Sequence, residues 1–188
     1  MTEPPATNAA AYAAAAQKAA AFILNRLHTP DGRLLHRYRD GEAAVSGMAD
    51  DYAFFIWGLL ELYAATFEPE QWLSALALQH DMNERFWDKP AGGFYFTADD
   101  AEQLLVRQKE IYDGAVPSAN SAAMLNLLRL ARITARSDFE EQALAITRAF
   151  AEIVGMAPSA YTQLLAAVSF ARGPSREIVI AGDPQAQD

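Results

Sequence analysis

The sequence predicts a mainly α-helical fold, a partial α/α toroid of about three helical hairpins, with a small β-hairpin insertion and a C-terminal strand. Three observations support this prediction. Helical stretches that are apolar on nearly all sides alternate with stretches that are apolar on one side only. Short turns follow the first kind, and long connections lie between some of the helices. Helices of these two kinds form the inner and outer layers of toroids and solenoids.

The composition is that of one folded domain. The chain has 188 residues, of which 52% are hydrophobic, and this is enough for one sizeable core. Its formal charge of −9 would repel phosphate backbones and anionic lipids, so we expect no nucleic-acid partner and no membrane partner. Cysteine is absent, which excludes thiolate metal sites and thiol nucleophiles within these residues. We expect no cofactor and a reducing, cytoplasmic location.

The first predicted hairpin pairs an outer helix with an inner one. Residues 8–27 are rich in alanine but contain polar residues, and they indicate a surface helix rather than an export signal or a bilayer span. The breaker Thr29-Pro30-Asp31-Gly32 ends this helix, and residues 32–45 are predicted as a long loop. Residues 50–67 are apolar all round, which predicts a buried helix.

The second hairpin begins with residues 70–86, whose apolar stripe faces a polar side and predicts an outer helix. A long connection follows at 87–116. Within it, residues 92–96 and 104–106 have the composition of short strands flanked by turn residues. We therefore place the small β-hairpin in this connection. Residues 118–134 complete the pair as a buried helix.

The third hairpin consists of an outer helix around residues 139–153 and a buried helix at 158–171. Beyond it, residues 176–182 predict a strand of the type that is buried in a sheet. We divide the chain accordingly into a half toroid, residues 1–172, and the start of a truncated α/β tail, residues 173–188.

The three inner helices begin with polar clusters near Asp50, Ser118 and Ser159. Because the inner helices of a toroid run in the same direction, these clusters are predicted to meet at one end of the fold. The two long connections gather at the same end. Loops that a rigid scaffold presents in this way commonly carry binding or catalytic residues.

Several strings of this sequence resemble the C-terminal half of the spermatogenesis-associated thioredoxin-domain proteins. They are residues 32–38, 50–54, 92–97, 109–121 and 176–182, of which 109–121 is the most specific. The resemblance implies an N-terminal thioredoxin-like domain followed by a six-hairpin toroid related to glycosidases and to N-acylglucosamine epimerases. It also implies that the thioredoxin part and about half of the toroid lie outside this sequence. It implies a fold and no particular reaction.

Three carboxylates are predicted as catalytic residues: Asp51, Glu110 and Asp113. Two acids from different segments can protonate a glycosidic oxygen and activate water when they are about 5 to 9.5 Å apart. The structural alternatives stay open. One of Asp50 and Asp51 could be a helix cap, and a salt-bridge cluster of Glu110 and Asp113 with Arg107 and Lys109 could pin the long connection.

Nine further residues are predicted to bind a ligand. They are His36, Asp50, Tyr52, Arg107, Lys109, Tyr112, Ser118, Asn120 and Tyr161. The polar side chains can hydrogen-bond hydroxyl groups, and tyrosine rings can stack on the apolar faces of sugars. Helix capping and core packing are their structural alternatives. Among the three histidines, His36 is the one placed to act as an acid or base. No spacing indicates a metal site.

Two functional hypotheses follow. In the first, the chain binds or processes a sugar-like small molecule at the acidic end of the inner helices. In the second, it is a non-catalytic interaction scaffold. Three hairpins cannot close a six-hairpin ring, so the first and last helices should expose apolar surface. We therefore expect a homo-oligomer, or association with the missing half of the parent protein.

Overall fold

The structure, a computed structural model, describes residues 8–102 and 105–174. The mainly helical class is confirmed, and a two-stranded sheet accompanies the helices. The elements are α1 (Ala9–Arg26), β1 (Leu35–Arg39), β2 (Glu42–Ser46), α2 (Ala49–Thr66), α3 (Pro69–Phe86), α4 (Ala119–Thr134), α5 (Ser137–Met156), a 3₁₀ turn (Pro158–Ala160) and α6 (Thr162–Arg172).

The helices form two layers. Helices α2, α4 and α6 are neighbours in that order, and we call them the inner helices. Helix α3 packs against α2, α5 packs against α4, and α1 packs against α2. The predicted alternation of outer and inner helices is therefore present. Within the described residues, no helix combines the length and the apolar character that a bilayer crossing requires.

Short turns join each inner helix to the outer helix that follows. The C-cap residues of α2 and α4, Phe67 and Ala135, are both in the left-handed conformation, with φ of 56° and 54°. Pro69 then starts α3, where its fixed φ suits the first turn and its missing N–H is not needed. These turns reverse the chain at the end of the layer opposite to the inner-helix starts.

The core is formed chiefly by α2 and α4. The largest side chains with almost no exposed surface include Tyr52, Ile56, Leu59, Leu60, Phe86, Phe94, Met124, Leu127, Leu130 and Phe139. A polar bond also joins the two inner helices, because buried Asn126 donates through Nδ2 to the carbonyl of Ala53 at 2.8 Å. Truncating a core leucine such as Leu127 to alanine is expected to cost about 2 to 5 kcal/mol.

The β-hairpin lies in the first connection, where the sequence predicts a long loop. Strands β1 and β2 pair antiparallel from Leu35 with Ser46 to Arg39 with Glu42. Asp40 and Gly41 form the turn, with φ of 52° and 88°. Two positive φ angles are typical of a type I′ hairpin turn, and Asp-Gly is a preferred sequence for it. The prediction missed the hairpin because its strands carry mostly polar, exposed side chains.

The prediction of a β-hairpin in the second connection is wrong for the described residues of that connection. Residues 92–96 form only an isolated bridge, between Trp87 and Phe94, and Phe96 N–H donates to the carbonyl of Gln108 at 2.7 Å. Residues 103–104, at the start of the other predicted strand, lie outside the described residues. The aromatic run is instead used for packing, since Phe94 is fully buried.

Helix α6 is less buried than the sequence predicts. Only Leu164 and Ala167 of this helix are buried, whereas Leu165 is exposed. Among the helices of the described residues, α6 packs chiefly against α4, at the edge of the layer. The strand predicted at 176–182 and the proposed tail after residue 174 lie outside the described residues.

Candidate functional site

The starts of α2 and α4 are tied to one short segment of the second connection. The N–H of Ala49, the first residue of α2, donates to the carbonyl of Phe96 at 3.0 Å. Two residues earlier, Phe94 N–H donates to Oδ1 of Asn120 in the first turn of α4, at 2.7 Å. The segment from Phe94 to Phe96 thus bridges the two helix starts.

The starts of α4 and α6 share the carboxylate of Asp113. Its Oδ1 accepts from the N–H of Ser118 at 2.9 Å, and its Oδ2 accepts from the N–H groups of Gln163 and Leu164 at 2.8 and 3.1 Å. A negative charge that accepts backbone N–H bonds at two helix starts is well placed for both helix dipoles. All three inner helices therefore begin at the same end of the layer, as predicted.

His36 and Asp51 form a pair at the edge of this end. The Nδ1 atom of His36, on β1, lies 2.9 Å from Oδ2 and 3.0 Å from Oδ1 of Asp51. The carboxylate acceptor assigns the imidazole proton to Nδ1. Asp51 also accepts the N–H of Met48 at 2.8 Å, which caps α2. The His36 side chain is 47% exposed, so the imidazole is oriented by Asp51 and open to solvent.

Asp50 lies beside this pair in a different environment. The side chain is partly buried, and its Oδ1 accepts the N–H of Asp51 at 3.0 Å. Burial raises the pKa of Asp50, and the negative charge of Asp51 raises it further, against smaller opposing effects from backbone hydrogen bonds and from His36. Neighbouring carboxyl groups in unequal environments are a recurring basis for separate acid and base roles.

Two residues predicted to bind a ligand are instead buried and structural. Tyr52 has no exposed surface; its hydroxyl donates to Oδ2 of Asp81 at 2.6 Å and accepts from the N–H of Leu34 at 3.0 Å. Asn120 is 1% exposed, and its Nδ2 donates to the carbonyls of Phe94 and Glu110 at 2.9 and 2.8 Å. Burial with satisfied polar groups leaves neither side chain accessible to a ligand.

Ser118 and Tyr161, also predicted to bind a ligand, are buried as well. Ser118 is the N-cap of α4, where its Oγ accepts the N–H of Ser121 at 3.1 Å and lies 2.9 Å from the Ser121 hydroxyl. Tyr161 is buried at the start of α6. Capping and core packing, the structural alternatives considered for these residue types, are the roles that the structure gives them.

Arg107 and Lys109 hold the second connection in place. Lys109 Nζ donates to Oδ2 of Asp88 at 2.7 Å and to the carbonyl of Gly92 at 2.8 Å. Arg107 donates to the carbonyls of Thr97 and Arg85. The Lys109 ammonium lowers the pKa of Asp88 by its hydrogen bond. Basic residues therefore hold the connection in place, as in the salt-bridge alternative. The acidic partner of Lys109 is Asp88, however, and not Glu110 or Asp113.

The remaining predicted residues are Glu110 and Tyr112, and both side chains are exposed. Within the described residues, Asp51, Glu110 and Asp113 make no hydrogen bond to one another. Asp51 belongs to the junction of α2 with β1, whereas Asp113 belongs to the junction of α4 with α6. Asp51 and Asp113 thus belong to separate helix junctions, and the side chain of Glu110 is exposed.

A cavity borders the start of α2, between β2 and the second connection. Its volume is about 380 Å³, and it is lined by Val45, Ser46, Gly47, Met48, Thr97, Ala98, Ala101 and Glu102. Sequence reasoning missed these residues because most of them are small or apolar and carry no recognisable motif. No group of three or more acidic or histidine side chains suited to a metal ion occurs in the part of the chain that is described.

The solved structures give the class of this fold, the α/α toroid. The chain matches a glycoside hydrolase of family 76, a mannosidase from Bacteroides thetaiotaomicron, with a TM-score of 0.59 and 19% sequence identity. The match covers 75% of this chain and 38% of the mannosidase chain. At this identity the likeness shows the fold alone.

Sequence comparison then gives the particular relatives. Spermatogenesis-associated protein 20 of rat and of human are each 40% identical over 144 residues, and an uncharacterized protein of Caenorhabditis elegans is 32% identical over 147 residues. These matches cover 76% to 78% of this chain. Over about three quarters of its length, the chain is therefore similar to one part of spermatogenesis-associated protein 20, in agreement with the resemblance that its motifs predict. No family model matches the sequence.

The chain spans only 18% to 20% of the length of the curated relatives that it matches. The matched region is thus one part of much longer proteins.

Proposed function

We propose that the start of α2 binds a carbohydrate-like ligand, with Asp50, Asp51 and His36 as the polar groups that contact it. The observation that carries the proposal is the partly buried Asp50, whose pKa is raised beside the Asp51–His36 pair. Acids whose pKa is raised by burial and by a charged neighbour are candidates for functional sites. The toroid fold and the mannosidase name of the solved neighbour make mannose-type sugars the first ligands to test.

This arrangement provides the elements of acid–base chemistry on a glycosidic bond. Asp50 retains its proton to a higher pH than an ordinary aspartate and can donate it to a leaving oxygen. The exposed imidazole of His36, oriented by Asp51, can accept a proton from water or from a sugar hydroxyl. Of the other predicted catalytic acids, the exposed Glu110 is kept as an alternative second carboxylate. We assign Asp113 to helix capping.

Calorimetric titration tests the proposal. D-mannose, mannobiose and the matching glucose sugars are titrated into the 188-residue chain and into Asp50→Asn, His36→Gln and Glu152→Gln variants. Glu152, an exposed acid on α5, is the control for the loss of one carboxyl group. We expect saturable binding of at least one sugar, weakened about tenfold or more by the first two substitutions and unchanged by the third. No saturable heat with any sugar would refute the proposal.

The second candidate is an interaction scaffold, and exposed apolar side chains at both ends of the helical layer favour it. Tyr12 and Phe22 on α1 and Leu165 on α6 are exposed. Their partner would be a second copy of the chain or the remainder of a toroid. A scaffold would show self-association or partner binding that the Asp50 and His36 substitutions leave intact.

A further inference from the structure

One face of α2 carries a stripe of exposed and partly buried side chains. Asp50, Phe54, Trp57 and Glu61 follow each other at spacings of four, three and four residues, so they lie on the same side of the helix. The fully buried residues of α2 lie on its other sides. We call these four residues the α2 stripe. It begins at the proposed acid and runs along the inner layer away from it.

The middle of the α2 stripe is aromatic. The rings of Phe54 and Trp57 are stacked, with their centroids 6.3 Å apart and their planes 19° from parallel. Both side chains are partly buried against the core, so their positions are fixed by packing while part of each ring faces outward. The two nearly parallel, partly exposed rings form an aromatic surface, which we call the Phe54–Trp57 platform.

Polar contacts fix the orientation of the indole. Trp57 Nε1 donates to Oε1 of Glu61 at 2.9 Å, and Arg129 of α4 donates to the same oxygen at 2.6 Å. The Glu61 side chain is 61% exposed, whereas that of Arg129 is 18% exposed. The second carboxylate oxygen of Glu61 makes no described hydrogen bond within residues 8–102 and 105–174. The α2 stripe thus has a carboxyl group on each side of the platform. Asp50 lies toward the start of the helix, and the second oxygen of Glu61 lies toward its end.

We infer that the Phe54–Trp57 platform is a second sugar subsite that extends the site at Asp50 along α2. The inference rests on the proposed function. A pyranose ring has an apolar face that stacks on an aromatic ring and hydroxyl groups that bond carboxylates, and the stripe offers both in sequence. Asp50 and Trp57 are seven residues apart, or about 10.5 Å along the helix axis. The platform therefore suits a sugar unit next to the one that Asp50 contacts, which requires an oligosaccharide rather than a monosaccharide.

The test measures how affinity depends on the length of the sugar, and whether this dependence requires Trp57. Mannose, mannobiose and mannotriose are titrated into the chain by calorimetry and by tryptophan fluorescence, alongside the corresponding glucose, maltose and maltotriose series. The variants are Trp57→Ala, Trp57→Phe, Asp50→Asn and, as a matched control on outer helix α3, Trp72→Phe. Trp57→Phe keeps a ring at the position and guards against a folding defect in Trp57→Ala.

For the wild-type chain we expect affinity to rise from the monosaccharide to the longer sugars. In Trp57→Ala this gain should fall about tenfold, while monosaccharide affinity stays the same. Trp57→Phe should retain part of the gain but lose the ligand-induced fluorescence change, and Trp72→Phe should retain both. Asp50→Asn should weaken sugars of every length.

The other outcomes overturn the inference in distinguishable ways. If sugars bind and Asp50→Asn weakens them, but neither Trp57 variant alters the length dependence, the proposed function stands and the platform is not a subsite. If the Trp57 variants instead reduce self-association without changing sugar affinity, this face contacts a second copy of the chain. If no sugar binds the wild-type chain, the proposed function and the subsite both fail.

Discussion

Asp113 and Gln163 are 50 residues apart in sequence, yet Oδ2 of Asp113 accepts the backbone N–H of Gln163 at 2.8 Å. The same carboxylate accepts the N–H of Ser118 through its other oxygen. One side chain in the second connection therefore caps α6 and fixes the entry to α4. This relationship explains how an irregular segment can hold neighbouring helix starts in register.

Replacing Asp113 by alanine should destabilise the fold by about 2 to 4 kcal/mol, because three backbone N–H groups at two helix starts lose a charged acceptor. Urea denaturation measures this change. Glu110→Gln is the control, since its exposed side chain lies in the same connection. Weakened ligand binding by Asp113→Ala with unchanged stability would instead support a role of Asp113 in ligand binding.

Stability should depend on pH through Asp50. Its pKa is raised in the folded state, so the folded chain holds this proton more tightly than the unfolded chain does. The contribution to stability is complete below the unfolded pKa of about 3.9 and is lost as the pH rises through the folded value. Asp50→Asn should therefore gain stability relative to wild type as the pH rises from about 4 to 7.

Urea unfolding at a series of pH values tests this prediction, with Glu152→Gln as the correction for losing one exposed carboxyl group. A constant difference between Asp50→Asn and wild type across this range would show that Asp50 titrates alike in both states.

Asn120→Asp should be among the most disruptive single-atom changes in the chain. The buried amide nitrogen of Asn120 donates to the carbonyls of Phe94 and Glu110, and a carboxylate oxygen there would face both carbonyls without a proton to share. We expect the free energy of unfolding to fall by about 3 kcal/mol or more. Thermal unfolding of this variant and of Asn25→Asp, an exposed change on α1, makes the comparison. Equal melting temperatures for the two variants would contradict the role of Asn120.

Self-association should occur through the ends of the helical layer. Tyr12 on α1 and Leu165 on α6 are exposed apolar residues on helices with few neighbours. We expect light scattering at high concentration to give a mass above that of a monomer, and Tyr12→Glu combined with Leu165→Glu to lower it. Met156→Glu, at the end of outer helix α5, should leave the mass unchanged. A monomer at every concentration would exclude this contact.

The sequence predicts the helical layers well because apolar residues recur with a period of 3.6 wherever one side of a helix is buried. Buried α4 and outer α5 illustrate this. The prediction missed the hairpin at Asp40-Gly41 because its strands are exposed and do not alternate apolar with polar residues. Only the turn dipeptide marks it in the sequence. Helix α6 was misjudged because sequence alone does not say which helix lies at the edge of a layer.

The candidate site was predictable in position but less so in its details. Polar residues at helix starts serve either as caps or as ligands, and the same residue types suit both roles. Asp113 and Asn120 bond distant segments, through Gln163 and Phe94, whereas Ser118 caps its own helix through Ser121. Pairing of His36 with Asp51 depended on the fold of the first connection, which is marked in the sequence only by its turn dipeptide.

His36 is delivered by a hairpin whose strands contribute little to the core, whereas the acids next to it begin a helix that forms much of that core. Substitutions in the hairpin can therefore alter the position and surroundings of the His36 imidazole while the helices keep their packing. The hairpin is about a dozen residues long and lies outside the core, so exchanging it would change the surroundings of the α2 start without rebuilding the helices.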